Sequence, residues 1–370
     1  MTLSKKVLLV SPPFIPVSKD SVAGIEQVTY SLGKSLVEQG YDVYTVARED
    51  SEVYGKLISG GFSDLKAFPG AEFEHFHQSM AYVAFVLRDF LRNNGDVGVI
   101  VDRCQGVSLL TSHEENGPPV ICGLDMEPKY FLHPKLFDVF KEKLRERDDS
   151  FVAVAEHVAK DYLEALKLKE ANLGERMNVV HNGIITDNFP FSAGLGDSLL
   201  YLGRIREGKA PHLAIKVAHE TGMPLVLAGG DVPLSEGSQY EDREYFEREI
   251  QPLLDSQITF VGPVGLEEKV KLMQESRAVV FPSLERETFG LVPVESMACG
   301  TPAIAFNRGG PRETIVDGKT GFLVDSFEEM VGAVNKVDEI DRERCHSHVR
   351  ENFDYRLMGR RYGDLIEQTS

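Results

Sequence analysis

The 370-residue chain has no tryptophan, only four cysteines, and no apolar stretch near the roughly 20 residues that a membrane-spanning helix needs. Cys104, Cys122, Cys299 and Cys345 lie far apart, fitting neither a disulfide scaffold nor a zinc-ligand spacing, and read as reduced thiols of a cytoplasmic protein. Basic residues are also short. Against 58 Asp and Glu stand 40 Lys and Arg, a formal net charge of −18 shared by both halves of the chain. A field of that sign draws neither a nucleic-acid backbone nor an anionic bilayer, so no nucleic-acid partner is expected, and at most a peripheral association with membranes. The run Val7–Val10, stopped by Ser11-Pro12-Pro13, is too short for the core of a signal peptide.

What is present is an ordinary globular composition, 42% hydrophobic and 26% charged, too apolar for a disordered chain. Single hydrophobic cores stop growing near roughly 250–300 residues, so the length predicts two domains, with the cleft between them as the default ligand site. Val7–Val10 reads as a strand buried on both faces. Ile25, Val28, Leu32, Leu36 and Val37 follow at helical spacing up to Gly40, and Asp42–Ala47 reads as a second strand. Further β-like runs (97–101, 119–122, 151–154, 177–180) alternate with helical stretches such as 81–92 and 157–169, which predicts a doubly wound parallel α/β sheet. After a Pro/Gly/Ser stretch between Asn188 and Ser198 the alternation restarts, with apolar runs at 199–202, 225–228, 258–261, 278–281 and 303–305. The economical reading is two α/β domains joined near residues 188–198.

The segment from Phe281 to Pro302 is the richest in chemistry. A buried strand ends at Pro282, a glycine-containing turn follows, and a helix begins near Leu291–Pro293 and ends at Gly300. Such a helix directs free amides and a partial positive charge at its ligand, which suits a phosphate. Glu295 lies among Val292, Val294, Met297 and Ala298, so its half-buried carboxylate needs hydrogen-bond donors, which a sugar diol can supply. Glu287 sits at the carboxyl end of the strand, where open α/β sheets place ligand-contacting groups. Arg204 and Lys209 share one loop after another strand, so a planar fork and a point charge converge on one anion. For each residue alone a surface salt bridge or a cap is the alternative.

Together these residues resemble the family 4 retaining glycosyltransferases of the GT-B fold, over essentially the whole chain. The Glu-x7-Glu motif with internal Phe-Gly matches Glu287, Phe289, Gly290 and Glu295; the Gly-Arg-…-Lys loop matches Gly203, Arg204 and Lys209. His181-Asn182-Gly183-Ile184, Ala23-Gly24-Ile25-Glu26 and the tail Gly309–Val324 match further family segments. The resemblance implies an α/β fold of two Rossmann-like domains facing each other across a cleft: an acceptor-side domain over 1–187, a nucleotide-sugar domain over 198–352, and a C-terminal helix over about 353–370 packing back on the first. It implies that Arg204 and Lys209 hold the diphosphate, Glu295 the ribose hydroxyls and Glu287 the transferred sugar. Amides near Phe289, Gly290 and Leu291 complete the phosphate site, Gly24 lets the first loop approach it, and backbone near Val264 meets the base.

The chain departs from the pattern in three places. Where the family often carries a His near the reacting sugar, Leu124 or Asp125 stands, and Asp125 is the substrate-contacting candidate; Ala23-Gly24 replaces a glycine pair, and Ala155 a serine. No Asp-x-Asp pair occurs, so the metal-bridged diphosphate site of the other major glycosyltransferase fold has no ligands, and protein cations are expected in place of a metal. His75-Phe76-His77 has a metal-like spacing without a third partner nearby and reads as aromatic packing; Cys345–His348 reads as a solvated helical face. The expected activity is retaining transfer of a hexose from a UDP-sugar to a hydroxyl on a small molecule or glycan, by front-face attack, with no cofactor besides the nucleotide-sugar substrate. Lys209–Ile215, Tyr245–Arg248 and Met297–Pro302 look most like a bacterial branch that includes tetrahydrobiopterin glucosyltransferases. A nucleotide-sugar 2-epimerase of the same fold and a non-catalytic nucleotide-sugar binding protein are the alternatives.

Overall fold

The short apolar runs become the strands of two parallel sheets. The computed structural model describes residues 5–61, 72–104, 106–110, 117–128, 149–165, 167, 174–230 and 240–369, with side chains described over the same residues except 72–78, 110 and 240–242. Strands β1 (Lys6–Val10), β2 (Asp42–Val46), β3 (Lys56–Ile58), β4 (Val99–Asp102), β5 (Val120–Leu124), β6 (Ser150–Ala153) and β7 (Met177–Val179) form one sheet in the order β3-β2-β1-β4-β5-β6-β7. Strands β8 (Ser198–Leu202), β9 (Leu225–Ala228), β10 (Ile258–Gly262), β11 (Ser276–Phe281), β12 (Ala303–Phe306) and β13 (Gly321–Val324) form the other in the order β10-β9-β8-β11-β12-β13. Every pairing is parallel.

Val7 to Val10 and Val99 to Val101 are buried because helices cover both faces of a parallel sheet, which is why these strands carry continuous rather than alternating apolar residues. Two edge strands escaped the sequence reading as strands. β3 is three residues long with no fully buried member, and β13 is buried only at its ends. An edge strand half exposed to water needs no continuous apolar run, so it lacks the signal that marks the central ones.

In each sheet the winding reverses beside the first strand: the chain runs outward from β1 through β2 and β3, then returns to place β4 on the other side of β1. β8 and β11 flank the equivalent point of the second sheet. Loops leaving adjacent strands there diverge to opposite faces, opening a crevice at the carboxyl ends of the strands.

The chain divides into two units, residues 1–184 with 355–370, and residues 185–354. The Pro/Gly/Ser stretch read as a connector is fastened to the second unit. Ser192 N donates to Cys299 O at 3.0 Å, Gln274 Nε2 to Pro190 O at 2.7 Å and Arg342 Nε to Ser192 O at 3.1 Å, while Phe191 packs its ring against His346. Aperiodic sequence therefore marks a docked loop here. The last helix, Tyr355–Gln368, packs within the first unit against the helix Gly24–Glu38. A Cβ at Gly359 stands 2.0 Å from Ser35 Oγ, so only glycine permits that approach.

Candidate functional site

In the second unit three loops converge at the carboxyl ends of β8, β11 and β12. The first, after β8, carries Arg204, Arg206 and Lys209; it is tied to the second by Leu284 N and Glu285 N, which donate to Gly208 O at 2.9 and 3.2 Å. The third touches the second through Gly310 N, donating to Glu287 O at 2.8 Å. Gly309 has φ +60, and a Cβ there stands 2.4 Å from Glu287 O, so the approach of this loop to Glu287 demands glycine.

These backbone ties bring side chains of opposite charge together. Lys209 Nζ donates to Glu287 Oε1 at 2.5 Å and lies 3.4 Å from Glu285 Oε2; Arg206 Nη2 pairs with Glu285 at 2.5 Å, and Ser283 Oγ donates to Glu287 Oε1 at 2.6 Å. The Arg204 guanidinium is exposed and makes no ion pair or hydrogen bond among the described residues; its carbonyl accepts from Tyr201 Oη at 2.7 Å. Gly290, at φ +88, caps the helix Leu291–Ala298, whose first-turn amides receive no side-chain cap. The three loops thus hold five cations, Arg204, Arg206, Lys209, Arg286 and Arg308, against three carboxylates, Glu207, Glu285 and Glu287, beside an uncapped helix N-terminus, a net attraction for an anion.

Glu295 lies inside that helix, 3% exposed, with its Oε1 accepting from Lys269 Nζ at 2.7 Å. Lys269 itself is buried and lies 5.4 Å from the centre of the Phe189 ring. The donor that Glu295 needs is therefore present in the protein, leaving its second oxygen for another partner. Phe289 is buried edge-on against Phe353 with ring centres 5.8 Å apart, which makes it a structural anchor of the turn. Val264 is half-buried in the loop between β10 and the helix Leu266–Glu275, and Gly229 N in the neighbouring loop donates to Gly262 O at 2.7 Å.

The first unit gathers a different cluster at the matching position. Gly24 opens the helix Gly24–Glu38, where Ala23 offers no side-chain cap. Asp125, past the end of β5, is buried against Arg103, past the end of β4; the guanidinium also donates to Tyr362 Oη and Asn182 Oδ1 at 3.2 Å each. Burial raises the Asp125 carboxyl, and the Arg103 charge opposes it. Glu26, in the first turn of the helix, is also buried. Desolvation pushes its carboxyl up to about 7, helped by the Asp125 charge and opposed by its own amide and Arg103.

The structure thus joins Lys209 to Glu287 directly and sets Arg204, Gly290 and Leu291 in the same loop cluster. It places Glu295 one helix turn on with Lys269, and puts Gly24 and Asp125 in the other unit. Arg206, Glu285, Ser283 and Lys269 went unread because each is an ordinary surface-type residue whose partner lies 79, 79, 4 and 26 positions away respectively. Only Ser283, four residues before Glu287, carried a local signal. Among the described residues, no group of His, Cys, Asp or Glu is arranged to hold a metal ion. The His75 and His77 side chains lie outside the described residues. All four cysteines are free and buried, and burial raises their thiols, that of Cys299 to about 12, so none is a ready nucleophile.

The two-unit architecture is the GT-B fold. Over 98% of this chain it superposes on sucrose-phosphate synthase from Thermosynechococcus elongatus, covering 98% of that chain, with a TM-score of 0.77 at 20% identity. The Anabaena protein HepE, solved in complex with UDP-glucose, gives 0.72 at 16% identity, covering 98% of this chain and 99% of that one. Residues 195–352 match the family described as glycosyl transferases group 1, so the loop cluster of the second unit lies wholly within the family match. In sequence, the D-inositol 3-phosphate glycosyltransferase of Mycolicibacterium smegmatis is 31% identical over 183 residues, 45% of this chain and 41% of that protein. The alpha-1,3/1,6-mannosyltransferase of Dictyostelium discoideum is 30% identical over 153 residues, 39% and 36% of the two chains. The chain spans less than half the length of these relatives. The fold is that of the GT-B class, and residues 195–352 are similar to the glycosyl transferases group 1.

Proposed function

We propose that the chain is a family 4 glycosyltransferase that moves a hexose from a UDP-sugar to a hydroxyl acceptor with retention of configuration. The observation that carries this reading is the Lys209–Glu287 pair beside free Arg204 and the uncapped helix at Leu291. A lysine ammonium has three donors. Glu287 and Glu285 orient Lys209, which leaves a direction for a phosphate oxygen, while Arg204 brings a planar fork with no competing carboxylate. These cations and the helix amides stabilise the diphosphate as the glycosidic bond breaks, and Glu287, fixed by Ser283, orients the sugar. Glu295, held by Lys269, keeps one carboxylate oxygen for the ribose diol. Backbone near Val264 meets the base, Gly24 lets the first loop approach the diphosphate, and Asp125, in the acceptor-side unit, is the substrate-contacting candidate. Protein cations take the place of a metal, and no resident cofactor takes part. The crystal structure of HepE with UDP-glucose and the inositol phosphate relatives support a nucleotide-sugar donor and a hydroxyl acceptor. Among the described residues no helix is long and apolar enough to cross a membrane, and the four unpaired thiols suit work in the cytoplasm.

The test is mass spectrometry of products from a panel of nucleotide sugars and acceptors in excess chelator, with UDP titrated separately. Transfer with retention from a UDP-hexose is the expected result. Glu295→Gln is expected to weaken UDP binding, whereas Glu287→Gln lowers turnover with UDP affinity nearly intact. A chelator-sensitive reaction restored by magnesium, or equal loss of UDP affinity at both positions, contradicts the assignment.

A further inference from the structure

Lysine is a costly side chain to bury, yet Lys269 is only 8% exposed. It belongs to the helix Leu266–Glu275, whose other charged residues, Glu267, Glu268, Lys271 and Glu275, all lie in water. Val270 and Met273 form the buried face of that helix, and Lys269, one turn before Met273, shares it. An amphipathic helix ordinarily fills such a position with an aliphatic residue. The partner sits equally deep: Glu295 lies among Val294, Met297 and Ala298, all fully buried.

Stability does not call for this pair. Two apolar side chains of similar volume in place of a buried ion pair often leave a fold as stable, or more so. What an apolar pair lacks is a fixed carboxylate. Lys269 Nζ donates to Glu295 Oε1 at 2.7 Å and lies 5.4 Å from the centre of the Phe189 ring, so the ammonium is held between a carboxylate and an aromatic ring. Glu295 Oε2 accepts no hydrogen bond from the described residues. Without Lys269, a carboxylate at that depth gives up its charge or turns toward water, and either way stops accepting in its present direction. Glu295 stands one turn into the helix Leu291–Ala298, whose N-terminus adjoins the loop that carries Glu287.

We propose that Lys269 is a positioning residue for the nucleotide: it holds Glu295 charged and oriented, so that the free oxygen accepts from a ribose hydroxyl of the donor. Lys269 itself touches no part of the nucleotide. This role rests on the reading of Glu295 as the ribose contact, and names the residue on which that contact depends.

Calorimetry on the intact, folded chain tests it, with UDP, 2′-deoxy-UDP and 3′-deoxy-UDP as probes. The parent is expected to bind UDP about tenfold or more tightly than at least one of the deoxy nucleotides, the scale of a hydrogen bond to a charged group. Lys269→Met, close in length and shape, should weaken UDP by about tenfold while shifting that deoxy nucleotide by less than about threefold, so the preference for the hydroxyl collapses. A merely structural lysine weakens all three nucleotides alike. Lys269→Met combined with Glu295→Leu makes both positions apolar; this double variant should lack the preference too, yet melt within about 3 °C of the parent or above it. No UDP binding, or a parent without preference, overturns the ribose reading of Glu295 and this role together. A preference retained in Lys269→Met, or UDP and deoxy nucleotides weakened alike, overturns the role of Lys269 alone. A double variant that melts lower overturns it as well, because the pair is then an anchor between two helices.

Discussion

The two sheets reverse their winding at corresponding points, and each places a polar cluster there, yet the clusters are opposite in sign and in exposure. In the second unit Arg204, Arg206, Lys209, Arg286 and Arg308 outnumber Glu207, Glu285 and Glu287, the pairs are partly exposed, and the carboxylates of Glu285 and Glu287 are closed by neighbours within bonding distance. In the first unit Glu26 and Asp125 outnumber Arg103, all three are buried, and atoms are left open. The topology chooses where a ligand group can sit, whereas the side chains choose its charge. An excess of half-solvated cations draws an anion, whereas an excess of desolvated carboxyls repels one.

The largest effect that separates the two clusters should come from Arg103→Met. Removing the buried guanidinium strands Asp125, and breaking such a pair costs about 3–5 kcal/mol. Denaturant titration should show that loss in the transition of the first unit. A change below 1 kcal/mol means that Arg103 and Asp125 are not the buried pair described.

Next in size is Glu26→Gln. The folded carboxyl titrates at about 7 instead of the usual carboxylate range, so the folded protein binds the proton more tightly than the unfolded chain. The sign follows: ionised Glu26 destabilises the fold above pH 7, and the penalty fades as pH falls toward the ordinary carboxylate value. By the linkage between pKa and stability, the glutamine variant gains about 3 kcal/mol at pH 8 and little at pH 4.5. Melts across that range check it, and a pH-independent difference contradicts the desolvated carboxyl.

Smaller, and confined to the second unit, is the loss expected from Lys209→Ala or Arg204→Ala. Each removes a charge-assisted contact and should weaken UDP binding by roughly 1.5–3 kcal/mol in calorimetry, with little change in stability. Unchanged affinity in both variants erases the contrast between an anion-drawing cluster and an anion-repelling one. Smallest is Ser283→Ala, which deprives Glu287 of one hydrogen bond and should slow turnover at saturating donor by about 1 kcal/mol, under tenfold.

Much of this was legible in the sequence. Central strands announced themselves as four-residue apolar runs, and the helix Leu291–Ala298 was readable from Gly290 and Gly300 at its ends. Glu287, Lys209 and Arg204 could be singled out because each sits just past a strand end. Pairing was not legible. Lys269 looks like any lysine of an amphipathic helix until the fold buries it on Glu295, 26 residues on. Arg103 gave no local sign either, since its partners Asp125, Asn182 and Tyr362 are 22, 79 and 259 residues away. Burial turned Glu26 from a routine first-turn acid into a titrating group, and burial is a property of the assembled unit.

The return of the chain's last helix to the first unit has a bearing on synthesis. A ribosome releases residues 185–354 complete while the earlier unit still lacks Tyr355 to Gln368, so the later unit can close first. Until that helix arrives, Arg103 has no Tyr362 to donate to, and Ser35 has no Gly359 to pack against. The half-made unit then carries an unfinished charge in its interior until residues 355–368 follow. Losing those residues spoils the segment made first, and spares the one made after it.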